Sequence, residues 1–344
     1  MRIAIVNDTK MAIEVLKKIV SSFQQHEIAW IAENGQEAVK MCADDTPDLI
    51  LMDIIMPIMN GVEATRAIMK ESPCSILLVT STVDGNASQV FEAMGAGALD
   101  AVNTPVVTVT GTPDNASQFI EKINTIEKLI NSAKRLDKSA HYIPSTHAGN
   151  NYILAIGAST GGPAALATVL STLPADFPAP VVIAQHVDKM FTENFAQWLN
   201  THTQLNVRVA KEGDRLEVGT VLVAGTSDNM MVNDKLRIQY TSEPMDYPYR
   251  PSANVLFESV ARSWHGNAIG VLLTGMGDDG ANGLLQMKQK NWLTIAQDAD
   301  TCAVYGMPKA AVKLDAVTEI LPLDQIGKMI ISIIRAQSSN KAAS

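Results

Sequence analysis

The sequence predicts an α/β protein of two domains, each built on a mainly parallel sheet. Three observations predict it. Short apolar runs that end in small or polar residues alternate with longer runs of helical period. A segment rich in Ser, His, Pro and Gly, Asp137–Asn151, interrupts that alternation. The length of 344 residues is enough for two separate cores.

Composition narrows the function class. The hydrophobic fraction is 47% and the formal net charge is −9, which argues against a nucleic-acid binder with a basic face. Cys42, Cys74 and Cys302 are odd in number and lack metal-ligand spacing, so reduced thiols are expected. The apolar run after Met1 is too short for a signal peptide, and no run approaches the ~20 residues of a membrane span. A soluble, cytoplasmic protein without membrane insertion is expected.

In the first domain, strands are expected at Ile3–Val6, Ile28–Ala32, Leu49–Met52, Ile76–Val79 and Leu99–Val102. Helical spacing links Met11, Val15, Leu16, Ile19 and Val20, and a second helix follows Asn34-Gly35. This is the pattern of a doubly wound sheet, whose ligands bind at the carboxyl ends of the strands. Asp8, Asp53, Thr80 and Asn103-Thr104-Pro105 fall there. Taken singly, Asp8 reads as a helix cap and Asp53 as a strand end. Taken together, two carboxylates at ~4 Å would repel by on the order of 4 kcal/mol near a surface unless a cation such as Mg2+ lay between them.

The segment Met52-Asp53-Ile54-Ile55-Met56-Pro57-Ile58-Met59-Asn60-Gly61 resembles the phospho-acceptor stretch of response-regulator receiver domains, which here would span Met1–Leu136. The resemblance implies a flavodoxin-like sheet and phosphorylation of Asp53. It also implies Mg2+ held by Asp8 and Asp53, and a contact from Thr80 to the phosphoryl group. Three positions depart from the pattern. Asn7 replaces the first of two acids, Thr104 replaces a lysine, and Ala101 occupies a position commonly aromatic. Loss of the lysine removes a charge-assisted bond typically worth ~1.5–3 kcal/mol. A weakened or replaced phosphorylation switch is therefore expected.

Val106–Asp114 has no clear period, and Phe119–Leu136 has helical spacing with Lys122, Lys128, Lys134 and Arg135 expected on its wet side. Asp137–Asn151 reads as an exposed linker whose histidines are solvated. The second domain, residues 152–344, opens on the apolar run Ile153–Ile156. Ser159 follows at a strand-to-helix turn in Gly157-Ala158-Ser159-Thr160-Gly161-Gly162. Further strands are expected at Pro180–Gln185, delivering His186, and at Val207–Ala210, Val221–Ala224, Leu236–Gln239, Ala268–Thr274 and Leu293–Ala296. Helices are expected at Val255–Arg262, Ala310–Leu314 and Ile326–Ile334, making a three-layer α/β/α unit.

Ser159, His186 and an acid of the Gly275–Gly283 loop thus follow three buried strands. A serine needs a base to be nucleophilic near neutrality, and an imidazole needs a carboxylate to hold its tautomer; Asp278 or Asp279 could supply it. Two other readings stand beside this one. The glycine loops could cradle a phosphate in a nucleotide-binding domain, although neither has the Gly-x-Gly-x-x-Gly order or a following Gly-Lys-Ser/Thr. Alternatively the domain could be a signalling module that binds partners without catalysis.

Gly157–Gly162, Gln185-His186, Tyr249-Arg250-Pro251-Ser252, Leu273–Ala281, Ala296-Gln297-Asp298 and Tyr305-Gly306-Met307-Pro308 resemble the chemotaxis methylesterases of the CheB family. The order of receiver, linker and catalytic domain matches too. The resemblance implies hydrolysis of glutamate methyl esters on methyl-accepting chemoreceptors and, in some members, deamidation of receptor glutamines. It assigns Ser159 as nucleophile, His186 as base and Asp279 as orienting carboxylate, with no cofactor for that chemistry. The amides of Thr160 and Met276 are the expected oxyanion donors. A chemotaxis histidine kinase is the implied phosphodonor, and the unmodified receiver is expected to restrain the esterase until phosphorylated.

Overall fold

A computed structural model of the chain describes residues 1–81, 86–107, 113–114, 119–120, 122–124, 126–127, 151–187, 189–226, 228–244 and 250–339. The chain divides into two compact units, Met1–Lys134 and Arg135–Ser344. Of the expected linker, only Asn151 falls within the described residues.

The first unit carries β1 (Arg2–Val6), β2 (Glu27–Ala32), β3 (Leu49–Met52), β4 (Ser75–Thr80) and β5 (Asp100–Asn103), all parallel, in the order β2-β1-β3-β4-β5. This is the flavodoxin-like order expected. Helices α1 (Lys10–Ser21), α2 (Gly35–Asp44), α3 (Gly61–Glu71) and α4 (Ala87–Gly95) connect the strands. All of β3 is buried, as a strand covered on both faces must be. Ile3, Ile5, Leu49, Leu51, Leu77 and Val79 pack against Ile13, Leu16 and Ile19 of α1 and against Phe119, Ile123 and Ile126. Asn60 caps α3 through a reciprocal box with Glu63, so the turn after Asp53 ends on a firm helix start.

Val106–Asp114 contains a small antiparallel pair, β6 (Val106–Val107) with β7 (Pro113–Asp114). The described residues between 119 and 127 are helical, and residues 128–136 of that expected helix lie outside the described set. Lys122 is not on a wet face. Its Nζ lies 2.6 Å from Asp100 and donates to the Ala101 carbonyl at 3.0 Å, because a long stem lets the ammonium reach back to the start of β5.

The second unit carries β8 (Tyr152–Ala158), β9 (Val181–Gln185), β10 (Asn206–Val209), β11 (Thr220–Val223), β14 (Asn267–Leu272), β15 (Leu293–Gln297) and β16 (Glu319–Leu321). They form one parallel sheet in the order β10-β11-β9-β8-β14-β15-β16. Its helices are α5 (Gly162–Thr172), α6 (Thr192–Asn200), α7 (Ala253–Ser263), α8 (Ala281–Gln289), α9 (Met307–Lys313) and α10 (Leu323–Ser339). Every residue of β8 is buried. Ile153 and Ala155 on one face of β8 join a core with Leu256, Phe257 and Val260 of α7 and Leu284 and Met287 of α8.

Three sequence expectations change here. Leu236–Gln239 is not one strand: β12 (Asn229–Val232) pairs antiparallel with β13 (Ile238–Thr241), and Leu236 sits in their turn at φ 56°. Asn233, whose side-chain oxygen accepts from the amides of Lys235 and Arg237, drives that turn. Strand β16 escaped the periodicity because it is three residues long and only partly buried. Strand β14 stops at Leu272, which leaves Leu273–Gly280 as a loop at the sheet edge.

Candidate active site

Strand β8 lies at the centre of the sheet; the chain leaves it for β9 on one side and returns to β14 on the other. This is the switch point where doubly wound sheets open a crevice at their carboxyl ends. Ser159 is the first residue past β8, and its amide donates to the carbonyl of Thr274 at 3.0 Å. Gly161, at φ 74°, reverses the chain into α5, a conformation that glycine takes without a Cβ clash. The close approach of the two loops also requires Gly275, where a Cβ would stand 2.7 Å from Cβ of Ser159 and 2.3 Å from Sδ of Met307.

His186 follows β9, held by its amide bond to the Ala158 carbonyl at 3.0 Å. Its Nδ1 lies 3.1 Å from Ser159 Oγ and its Nε2 lies 2.8 Å from Asp279 Oδ2. The imidazole therefore meets the serine through Nδ1, opposite to the ring orientation of the chymotrypsin triad. With Asp279 accepting from Nε2–H, the neutral ring keeps its lone pair on Nδ1, facing the hydroxyl.

The structure separates the two adjacent acids. Asp278 is exposed, whereas Asp279 is buried with its carboxylate fully covered. Oδ1 of Asp279 accepts from Ser252 Oγ at 2.7 Å and from the Asn254 amide at 3.0 Å. Oδ2 accepts from the Ala253 amide at 2.6 Å besides His186. The acid thus sits on the N-terminus of α7, where free amides and the helix dipole favour negative charge. Burial opposes ionisation. The bond to His186 and its charge, with Ser252 and Asn254, outweigh it and hold the carboxyl below the usual aspartate range. Sequence reasoning assigned Ser252 and Asn254 no role. Ser252 carries a legible cap signal before α7, but nothing in the sequence ties it to an acid 27 residues later.

The amides of Thr160 and Met276 have no hydrogen-bond partner among the described residues; Thr160 follows Ser159 in the chain. The Thr160 carbonyl is held by Thr274 Oγ1 at 2.9 Å, and Met276 follows Gly275.

The first unit brings Asp53 and Asn7 together. Asn7 Nδ2 donates to Asp53 Oδ2 at 2.9 Å, and the Ile54 amide donates to Oδ1 at 2.7 Å. Burial raises the Asp53 pKa to about 6; the Ile54 and Ile55 amides offset it in part, and the Asp8 charge adds to it. Asp8 is exposed beside it. Asn7 offers a cation no charge, and its Oδ1 accepts from the Thr9 amide at 2.8 Å. Thr80 does not meet Asp53: its buried hydroxyl accepts from Asn86 Nδ2 at 3.2 Å. Thr104 lies beside Thr80, its amide bonded to the Thr80 carbonyl at 2.8 Å. Among the described residues no group of three or more His, Cys, Asp or Glu is placed to hold a metal.

Residues 154–330 match the family model for the CheB methylesterase, and residues 3–108 match that for the response regulator receiver domain. Over 338 residues the chain is 51% identical to a protein-glutamate methylesterase/protein-glutamine glutaminase of Mesorhizobium japonicum, covering 96% of this chain and 98% of that protein. The chain belongs to the CheB methylesterase family. A second relative, protein-glutamate methylesterase/protein-glutamine glutaminase 3 of Pseudomonas aeruginosa, is 48% identical over 333 residues, 97% of this chain and 99% of that one. The crystal structure of the Thermotoga maritima CheB methylesterase catalytic domain is 31% identical, with TM-score 0.50, and covers 53% of this chain and 98% of its own. The first unit is accordingly a response-regulator receiver domain, and the second contains the CheB methylesterase domain. No helix among the described residues is long and apolar enough to cross a membrane.

Proposed function

We propose that this chain is a cytoplasmic protein-glutamate methylesterase that removes methyl esters from glutamates of methyl-accepting chemoreceptors and deamidates receptor glutamines. The observation that carries the reading is the continuous hydrogen-bonded run from Ser159 Oγ through the His186 ring to Asp279, at 3.1 and 2.8 Å. A phosphate cradle or a binding-only module has no use for a serine hydroxyl aimed at the lone pair of an oriented imidazole. The names of the full-length relatives support the choice of ester and amide substrates.

Ser159 Oγ attacks the ester carbonyl while its proton passes to Nδ1 of His186. The imidazolium is stabilised by Asp279, whose other bonds keep it ionised. The tetrahedral oxyanion is received by the amides of Thr160 and Met276, each worth ~3–4 kcal/mol of barrier. Collapse expels methanol, which takes the proton from Nδ1. Water, activated by the same ring, then releases the glutamate and restores Ser159. For a glutamine side chain the leaving group is ammonia and the steps are the same.

The receiver regulates this site by phosphorylation of Asp53, a chemotaxis histidine kinase being the phosphodonor. Mg2+ would be held by the carboxylates of Asp8 and Asp53, whose mutual repulsion a dication relieves. It would screen charge on a phosphoryl group; Asn7 in place of an acid and Thr104 in place of a lysine weaken that grip. Thr80 must exchange its bond to Asn86 for one to the phosphoryl oxygen. The test is methanol release from methylated receptors, measured with and without a small phosphodonor and Mg2+. Wild-type release that vanishes in Ser159→Ala supports the hydrolase. Equal release by both proteins rejects it, and release that ignores the phosphodonor rejects the switch.

A further inference from the structure

We propose that Gln185 is a positioning residue of the hydrolytic site, clamping the backbones of Ser159 and His186 so that their side chains stay in register. The proposal rests on the ester-hydrolase reading above. Gln185 is the last residue of β9 and is 2% exposed. Its Nε2 donates to the carbonyl of Ser159 at 2.9 Å and to that of His186 at 3.1 Å. Strands β8 and β9 are paired up to Ala158 and Gln185, and the His186 amide makes the last backbone bond between them. Past that point Ser159 turns towards α5 and His186 leaves towards a short 3-10 turn at Lys189–Phe191. The sheet ladder therefore ends one step short of the two residues that must meet. The carboxamide extends it by that step, using two donors on one uncharged nitrogen.

The other half of the amide points to the same role. Gln185 Oε1 is buried and has no hydrogen-bond partner among the described residues. Buried orphan acceptors are uncommon and call for a reason. Turning the amide over would aim that oxygen at two carbonyl oxygens, so the two donor contacts hold it where it is. Oε1 lies against Gly162, where a Cβ would fall 2.0 Å from it. Gly162 at the start of α5 thus makes room for the Gln185 side chain. The carbonyl that Gln185 holds also accepts from the Gly162 amide at 2.7 Å, so one side chain braces the turn that aims Ser159 Oγ at His186 Nδ1. Loosening this brace widens the spread of the Oγ–Nδ1 distance. Proton transfer depends steeply on that distance, whereas ester binding does not.

The test measures kcat and KM for methanol release in the full chain, normalised to active sites titrated with a serine-directed phosphonate, with thermal midpoints as a check of folding. Gln185→Met, of similar length but unable to donate, is expected to lower kcat by about 10–100-fold with KM changed less than about twofold. Gln185→Glu presents a carboxylate to two carbonyls once it ionises, and burial raises the pH at which it does so. Its activity relative to wild type should therefore fall as pH rises through that point and recover as pH falls and the acid regains a proton to donate. Gly162→Ala should lower kcat in the wild-type background and add less in a Gln185→Ser background, where Oε1 and Cδ, the two nearest obstructing atoms, are gone and only Cβ of Ala158 at 3.0 Å remains. Folded Gln185 variants with wild-type kcat per titrated site would overturn the clamp. So would a flat pH ratio for Gln185→Glu, or a Gly162→Ala effect that adds in full. If wild type and Ser159→Ala release methanol equally, it is the hydrolase reading itself that fails.

Discussion

Asp53 and Asp279 both lie beyond the end of a buried parallel strand and both are largely removed from water, yet their acidities move in opposite directions. Asp279 accepts four hydrogen bonds, two of them from amides at the start of α7, and is held below the usual range. Asp53 is desolvated with fewer donors and has Asp8 beside it, so its pKa rises to about 6. Desolvation alone pushes any carboxyl upwards; the number of donors aimed at the charged form decides the sign. One site is finished as it stands. The other keeps its acid short of partners, as the cation and phosphoryl group proposed for it would require.

Breaking the finished site should have the largest effect. Ser159→Ala is expected to lower methanol release by at least ~10⁴-fold, with the folded unit intact by thermal unfolding. Asp279→Asn, which leaves His186 without its tautomer partner, should cost kcat about 10³–10⁴-fold. A milder loss on either substitution would mean that the observed hydrogen bonds do not carry the chemistry.

Adding a charge to the unfinished site sharpens the contrast. Asn7→Asp supplies a third carboxylate and is expected to tighten Mg2+ binding about 10-fold by calorimetry, at the expense of a more strained apo receiver. Unchanged affinity would show that Asn7 is not what limits the cation site.

The smallest effects are those of pH and of one cap. Asp53 has a folded pKa above its unfolded value, so its contribution to stability is complete below pH ~4 and is lost as pH rises through about 6. Asp53→Asn should therefore raise the thermal midpoint of the receiver more at pH 7.5 than at pH 5. A midpoint difference independent of pH across that window counts against the raised pKa. Asp279 is depressed, so its contribution is present at neutral pH and is lost only as pH falls through its lowered value. Ser252→Ala removes both the cap of α7 and one bond to Asp279, and should cost about 1–2 kcal/mol of stability. It should also lower kcat by several-fold, since three donors remain on the acid.

The sheets were legible because their strands are buried on both faces, so Ile3–Val6, Leu49–Met52 and Val181–Gln185 read as continuous apolar runs. Ser159 and His186 were legible because each follows such a run, and the acid was narrowed to Asp278 or Asp279 by its glycine loop and to Asp279 by the family resemblance. Short or half-exposed elements were not. Glu319–Leu321 has no period to read, and the pair Asn229–Val232 with Ile238–Thr241 is defined by its turn.

By itself, the sequence determined the two-domain α/β plan and the residue types at the strand ends. Tertiary structure alone decided that Asp279 is buried while Asp278 stays exposed, which ring nitrogen faces Ser159, and that Asp279 is ionised by the start of a helix 26 residues earlier in the chain. It also decided that Gln185 turns its amide onto the two residues it joins. The physical reason is common to all four. Periodicity records which side of an element is buried, whereas a hydrogen bond or a pKa depends on what distant segments bring within about 3 Å.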